Sequence, residues 1–189
     1  MPGGVRRLPI VGAMGSGSEA WAEFAVPLGQ HLAARGAHLL TGGGGGTMTE
    51  TARAFCQTPD RRGLSIGILP SVAEPVRGFV PQAGYPNPWV EVPIVTPLAT
   101  YAGGDDTVVS RNHVNILTAD AIVALPGSGG THNEIRLARR YARPIILFGP
   151  AAEFAALDAA IPRAAELAEV VAFLDSLLGW GRYAERTPR

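Results

Sequence analysis

Short apolar runs alternate with segments of helical spacing along the whole chain. Leu8–Ala13, Ala37–Thr41, Leu64–Leu69, Val92–Thr96, Ala121–Leu125 and Pro144–Phe148 are the apolar runs, and most of them lack polar alternation. A strand with one wet face alternates polar and apolar residues, so these runs predict strands covered on both faces, as in a parallel sheet. Trp21, Phe24, Ala25, Leu28 and Leu32 recur at helical spacing, with Ser18 placed as a cap before them. Further helices are predicted from Thr47 onward, over Val108–Thr118 and over Thr131–Ala142. A last one covers Ala165–Leu178, where Leu167, Val170, Val171, Leu174, Leu177 and Leu178 make an apolar stripe. This βαβ succession predicts an α/β fold, a doubly wound parallel sheet with helices on both faces.

Ser71–Tyr101 interrupts the rhythm with prolines, glycines and aromatics, including Pro86-Asn-Pro-Trp89. It reads as a long loop around one short strand, either a wall or lid of a site or an irregular surface connection. The chain has 189 residues and neither an internal repeat nor a linker. One domain over residues 1–180, with a polar tail at 181–189, is expected.

Composition narrows the chemistry. Hydrophobic residues make up 47% and charged ones 17%, which fits a large buried core. Sixteen basic residues balance sixteen acidic ones, so there is no electrostatic footprint for nucleic acid or an anionic membrane. All the basic residues other than histidine are arginine. Without a lysine the chain has no Schiff-base residue for pyridoxal phosphate and no Walker-type phosphate loop. The lone cysteine, Cys56, excludes an internal disulfide; it reads as a small buried hydrophobe, and a cytoplasmic setting is expected. No apolar stretch reaches the ~18 residues of a membrane span.

Three glycine-rich stretches fall at strand ends, where open parallel sheets bind ligands. Gly12-Ala-Met-Gly15-Ser16-Gly17 follows the first strand. Gly42, Gly43, Gly44, Gly45 and Gly46 follow the second and lead into Thr47 and Met48. Pro126, Gly127, Ser128, Gly129, Gly130 and Thr131 follow the fifth and open the helix that carries Glu134. Glycine lets a ligand approach the main chain, and free amides at a helix start favour an anion. Glycine also ends strands for structural reasons alone, but three such loops at one sheet edge point to a phosphate or nucleotide. The first loop lacks GxGxxG spacing, and no acidic residue closes the second strand, so bound NAD is disfavoured and a more compact ligand fits better. No cofactor and no metal site are expected: His31, His38, His113 and His132 have no metal-ligand spacing, and Asp105–Asp106 reads as a solvated turn.

Ala119-Asp-Ala-Ile-Val-Ala-Leu-Pro-Gly-Ser-Gly-Gly-Thr-His-Asn-Glu134 resembles the PGGxGTxxE signature of the LOG family, once labelled "lysine decarboxylase-like". Thr41–Met48 is similar to that family's second glycine-rich motif, and the resemblance runs from the first strand to about Phe148. It implies a Rossmann-like dimer and a phosphoribohydrolase that cleaves the N-glycosidic bond of a nucleoside 5′-monophosphate. Arg111, fifteen residues before Pro126, matches the family's catalytic arginine, and Glu134 its catalytic glutamate. By that resemblance Glu134, in the first turn of a helix entered at Thr131, would stabilise oxocarbenium charge and help to position water, while Arg111 holds the phosphate or positions the ribose. Thr131 and the loop amides would cradle the phosphate. Ser128 replaces the second glycine of the signature, Asn133 an acid, and Asn112 the lysine usual after the arginine. Arg111-Asn112 and Ile116–Ala121 look more like a sister branch, the molybdenum-cofactor carriers. The leading expectation is therefore a hydrolase of a purine-type nucleoside 5′-monophosphate, with a carrier of a phosphorylated pterin or nucleotide as the alternative, and a homodimer or higher homo-oligomer.

Overall fold

The computed structural model describes residues 7–99 and 108–178. In chain order the elements are β1 (Ile10–Met14), α1 (Ala22–Arg35), β2 (His38–Thr41), α2 (Thr47–Gln57), β3 (Ser65–Leu69), β4 (Ser71–Glu74), β5 (Gly78–Pro81), β6 (Val92–Val95), α3 (Arg111–Thr118), β7 (Ala121–Ala124), α4 (Gly129–Arg140), β8 (Ile145–Phe148), β9 (Arg163–Ala164) and α5 (Leu167–Leu178). Seven strands form one parallel sheet in the order β6-β3-β2-β1-β7-β8-β9. This is the doubly wound α/β sheet that the alternation predicts, Rossmann-like as the family resemblance implies.

Neighbouring residues of one strand point to opposite faces, and here both faces are dry. Val11, Leu39, Val123 and Phe148 pack with Leu28 and Leu32 of α1, Phe55 of α2 and Leu174 of α5. Met14, Leu40, Ile122 and Leu147 pack with Ile116 of α3 and Ile135 and Leu137 of α4. Register fixes the centre: Val11 lies between Leu39 and Ala121, and Gly12 between Leu40 and Ile122. From β1 the order proceeds to β2 and β3 on one side and to β7 and β8 on the other. The loops after β1 and β7 therefore flank the reversal point, where open sheets bind ligands.

The irregular segment departs from its prediction. It holds an antiparallel hairpin, β4 with β5, as well as the single short strand β6. The hairpin stands off the main core, with Val72 and Phe79 about half exposed, so no buried face stamps a period on its sequence. Its turn closes at Gly78, in the left-handed region at φ 76°. Helix starts also shift. Trp21, not Ser18, precedes α1, and the Ser18 and Glu19 amides donate to Ser16 Oγ instead. Ser110 and His113 form a reciprocal cap, so α3 starts at Arg111 rather than Val108. α4 starts at Gly129, before Thr131, which moves Glu134 out of the first turn. The two-residue β9 and a 3₁₀ turn at Ala151–Phe154 are too short to carry a periodicity. Cys56 is half-buried on α2 with its thiol donating to the Trp89 carbonyl, and burial pushes its pKa up. Asp105–Asp106 and the 181–189 tail lie outside the described residues.

Candidate functional site

The three glycine-rich loops are stitched side by side. The Leu125 amide donates to the Met14 carbonyl at 2.7 Å, the Ser16 amide to the Pro126 carbonyl at 3.0 Å, and the Thr47 amide to the Ser16 carbonyl at 3.0 Å. Such close backbone contact requires the glycines. A Cβ on Gly127 would strike Thr131 Oγ1, one on Gly15 would meet the Thr47 side chain at 2.9 Å, and Gly46, at φ 56°, sits against the carbonyls of Ser16 and Glu19.

The loops enclose a cleft of about 150 Å³ at the reversal point. Of the residues singled out in the sequence, Gly15, Met48, Arg111, Ser128, Gly130, Thr131 and Glu134 line it. Gly17, Tyr85 and Asn112 line it as well. The sequence marked Asn112 as a departure from a motif and the Tyr85 segment as either a wall or lid or an irregular surface connection, but neither as a site residue. Ser16, Gly42, Gly43, Gly44, Gly45, Gly46, Thr47, Pro126, Gly127 and Gly129 are not among the lining residues. Several of them have committed polar groups: the Ser16 and Thr47 amides bond neighbouring loops, the Thr47 hydroxyl donates to the Glu19 carbonyl, and the Gly43 amide donates to Thr41 Oγ1. Gly42 leaves room for the guanidinium of Arg111, which a Cβ there would strike.

Two features of the cleft are of the kind that suit an anion. The first amides of a helix have no carbonyl ahead of them, and Ser128 supplies no side-chain cap to α4, so the amides of Gly129, Gly130 and Thr131 stay open at the positive end of the helix. Arg111, the first residue of α3, is 4% exposed, and its Nε has no hydrogen-bond partner. Among the described residues its guanidinium makes no ion pair.

Glu134 is also buried. Asn115 Nδ2 donates to its Oε1 at 2.9 Å. Burial pushes its carboxyl above the ordinary glutamate range, while nearby Arg111 and the Asn115 bond pull the other way. Glu134 sits in the second turn of α4, and its bond goes to α3 rather than to the start of its own helix. Beside it, Asn112 Nδ2 donates to Asn133 Oδ1 at 2.9 Å, so the two asparagine departures from the signature touch each other. His113 is taken up by the α3 cap and an edge contact with Tyr141.

Residues 8–172 match the profile of the SLOG cluster4 family. The chain belongs to that family. This agrees with the LOG-like resemblance of its motifs. No curated protein sequence matches it. Among solved structures it is similar to the molybdenum cofactor carrier protein of Chlamydomonas reinhardtii, at 31% identity over 92% of this chain and 99% of that one, with a TM-score of 0.69. It is also similar to the molybdenum cofactor binding protein of the phototrophic bacterium Rippkaea orientalis, at 29% identity over 91% and 98%, with a TM-score of 0.68. DNA processing protein A of Helicobacter pylori shares the fold alone, at 14% identity over 89% and 80%, with a TM-score of 0.59. Among the described residues no helix is long and apolar enough to cross a membrane.

Proposed function

We propose that this SLOG cluster4 protein binds and carries a compact phosphorylated heterocycle of the molybdenum-cofactor class, a phosphorylated pterin. Buried Arg111 carries the reading: a cation that forms no ion pair among the described residues, lining the same cleft as the start of α4. Keeping such a charge out of water is costly unless an anion meets it, and a phosphate supplies bidentate acceptors for a guanidinium. The names of two relatives near 30% identity supply the ligand class. The neutral Asn112–Asn133 contact fits the carrier branch, where the hydrolase pattern has a lysine and an acid.

Hydrolysis of a nucleoside 5′-monophosphate is the second reading, favoured by Arg111 and Glu134 lining one cleft. Breaking the ribosyl bond calls for a carboxylate to stabilise oxocarbenium charge, and burial shifts Glu134 toward its neutral form. That shift, with the neutral Asn112–Asn133 contact at the cleft, favours holding over cleaving. Mass spectrometry of small molecules that copurify with the protein tests the choice, alongside incubation with AMP and related monophosphates. A phosphorylated pterin and no free base is the expected result. Base release that Glu134→Gln abolishes would replace the carrier reading with the hydrolase. The same proposal has the protein acting in the cytoplasm as a homodimer or higher homo-oligomer, which sedimentation velocity checks.

A further inference from the structure

The irregular segment places one aromatic side chain in the cleft. Tyr85 is half-buried and lines it together with Arg111, Thr131 and Glu134. A Cβ on Gly44 would meet Tyr85 Cε1 at 2.9 Å, Tyr85 Oη at 3.0 Å and the Met48 methyl at 3.0 Å. Gly44 thus lacks a side chain where a phenol ring and a thioether both approach its backbone.

The position of Tyr85 is anchored. Two residues on, Asn87 is 6% exposed; its amide donates to the Gly43 carbonyl at 2.8 Å and its Nδ2 to the Gly44 carbonyl at 2.9 Å. Asn87 Oδ1 accepts from the Trp89 amide, and the Tyr85 amide donates to the Gln82 carbonyl. The segment that carries the ring is therefore pinned to the β2–α2 loop at Asn87. By contrast, the Tyr85 hydroxyl has no hydrogen-bond partner among the described residues.

These contacts give the cleft two unlike ends. The loop after β7 brings Ser128, Thr131 and open amides, all suited to phosphate. The loop after β2 brings Met48 and, through the inserted segment, Tyr85, the apolar and π-bearing groups. β2 and β7 both pair with β1, and strands lie ~4.8 Å apart, so the two loops open about 10 Å from one another. A ligand with its phosphate on α4 would have its other end within reach of Tyr85.

We propose that Tyr85, with Met48 beside it, is the ring-binding subsite of this cleft and selects phosphates that carry a planar heterocycle over bare sugar phosphates. An aromatic side chain and a polarisable thioether favour a flat, electron-poor ring face over a hydrated hydroxyl surface. The inference rests on the proposal that the cleft holds a phosphorylated ligand.

The test measures equilibrium binding of ribose 5-phosphate, AMP and 6-hydroxymethylpterin phosphate to the native protein and to Tyr85→Ala, Tyr85→Leu and Tyr85→Phe. Stacking on one aromatic side chain is expected to give at least one ring-bearing phosphate a margin of about tenfold over ribose 5-phosphate. Tyr85→Ala and Tyr85→Leu should lose that margin, Tyr85→Phe should keep it, and ribose 5-phosphate should bind all four proteins alike. Tyr85→Leu retains apolar bulk, which separates loss of the π face from damage to the loop. The subsite is overturned if the native protein shows no margin, if the margin survives in the Ala and Leu variants, or if ribose 5-phosphate affinity falls in parallel. Absence of binding by all three phosphates overturns the phosphate-site proposal, and the subsite with it. That outcome differs from the others, in which ribose 5-phosphate still binds.

Discussion

Arg111 and Glu134 are a buried cation and a buried acid that do not form an ion pair, and each leaves a measurable trace. Replacing a poorly compensated buried charge by an apolar side chain of similar volume is often stabilising. Arg111→Met is therefore expected to raise the stability of the unliganded protein by about 1 kcal/mol in denaturant unfolding, while weakening phosphate binding about 10- to 100-fold by loss of charge-assisted hydrogen bonds. A fall in both quantities would make Arg111 a structural residue. For Glu134 the sign follows from its raised pKa. The folded state holds the proton that the unfolded chain releases near the ordinary value of 4.5, so its contribution to stability declines as pH rises above that value. Glu134→Gln, which cannot ionise, should lack this decline. Thermal melts from pH 4 to pH 8 are expected to show the variant gaining on the native protein as pH rises, and a gap constant with pH would contradict the burial argument. At this scale the sequence named both residues through their motifs but could not show that they stay apart, because spacing along the chain does not fix the distance between two helices.

The five-glycine loop after β2 shows how an element can shape a cleft without lining it. Five consecutive glycines after β2 read as a ligand cradle, yet the structure uses them chiefly to let other groups approach: Arg111 at Gly42, Leu69 at Gly43, Tyr85 and Met48 at Gly44, and the carbonyl of Gly17 at Gly45. Gly42→Ala isolates one of these approaches. The added methyl meets the far end of a flexible side chain, so the fold can yield while the guanidinium is displaced. The expected outcome is a change in unfolding midpoint worth less than about 1 kcal/mol, with phosphate affinity reduced about tenfold or more. Unchanged affinity in calorimetric titration would show that Arg111 does not need that position. The hairpin β4–β5 and the starts of α3 and α4 escaped the sequence for a shared reason. Caps and short exposed strands depend on which polar atom reaches which neighbour, and apolar periodicity does not record that.

For the whole molecule, the stitched loops make binding and stability one quantity. A ligand that binds only the folded state stabilises it by about 2.7 kcal/mol at one hundred times its dissociation constant. Hydrogen exchange should show new protection at the amides of Gly129, Gly130 and Thr131, which have no acceptor among the described residues, and little change at the Ser16 and Thr47 amides, which already have one. Protection at Ser16 and Thr47 without any at α4 would place the anion elsewhere. By itself the sequence determined the fold class, the main succession of strands and helices, the absence of lysine and the strand ends where glycine-rich loops gather, because burial on two faces and backbone freedom at glycine are written locally. Only the tertiary structure decided that β7 lies beside β1, which glycines line the cleft and which support it, and that Tyr85 arrives from a segment without clear periodicity. Those facts depend on contacts between residues far apart in the chain, set by packing both faces of one sheet at once.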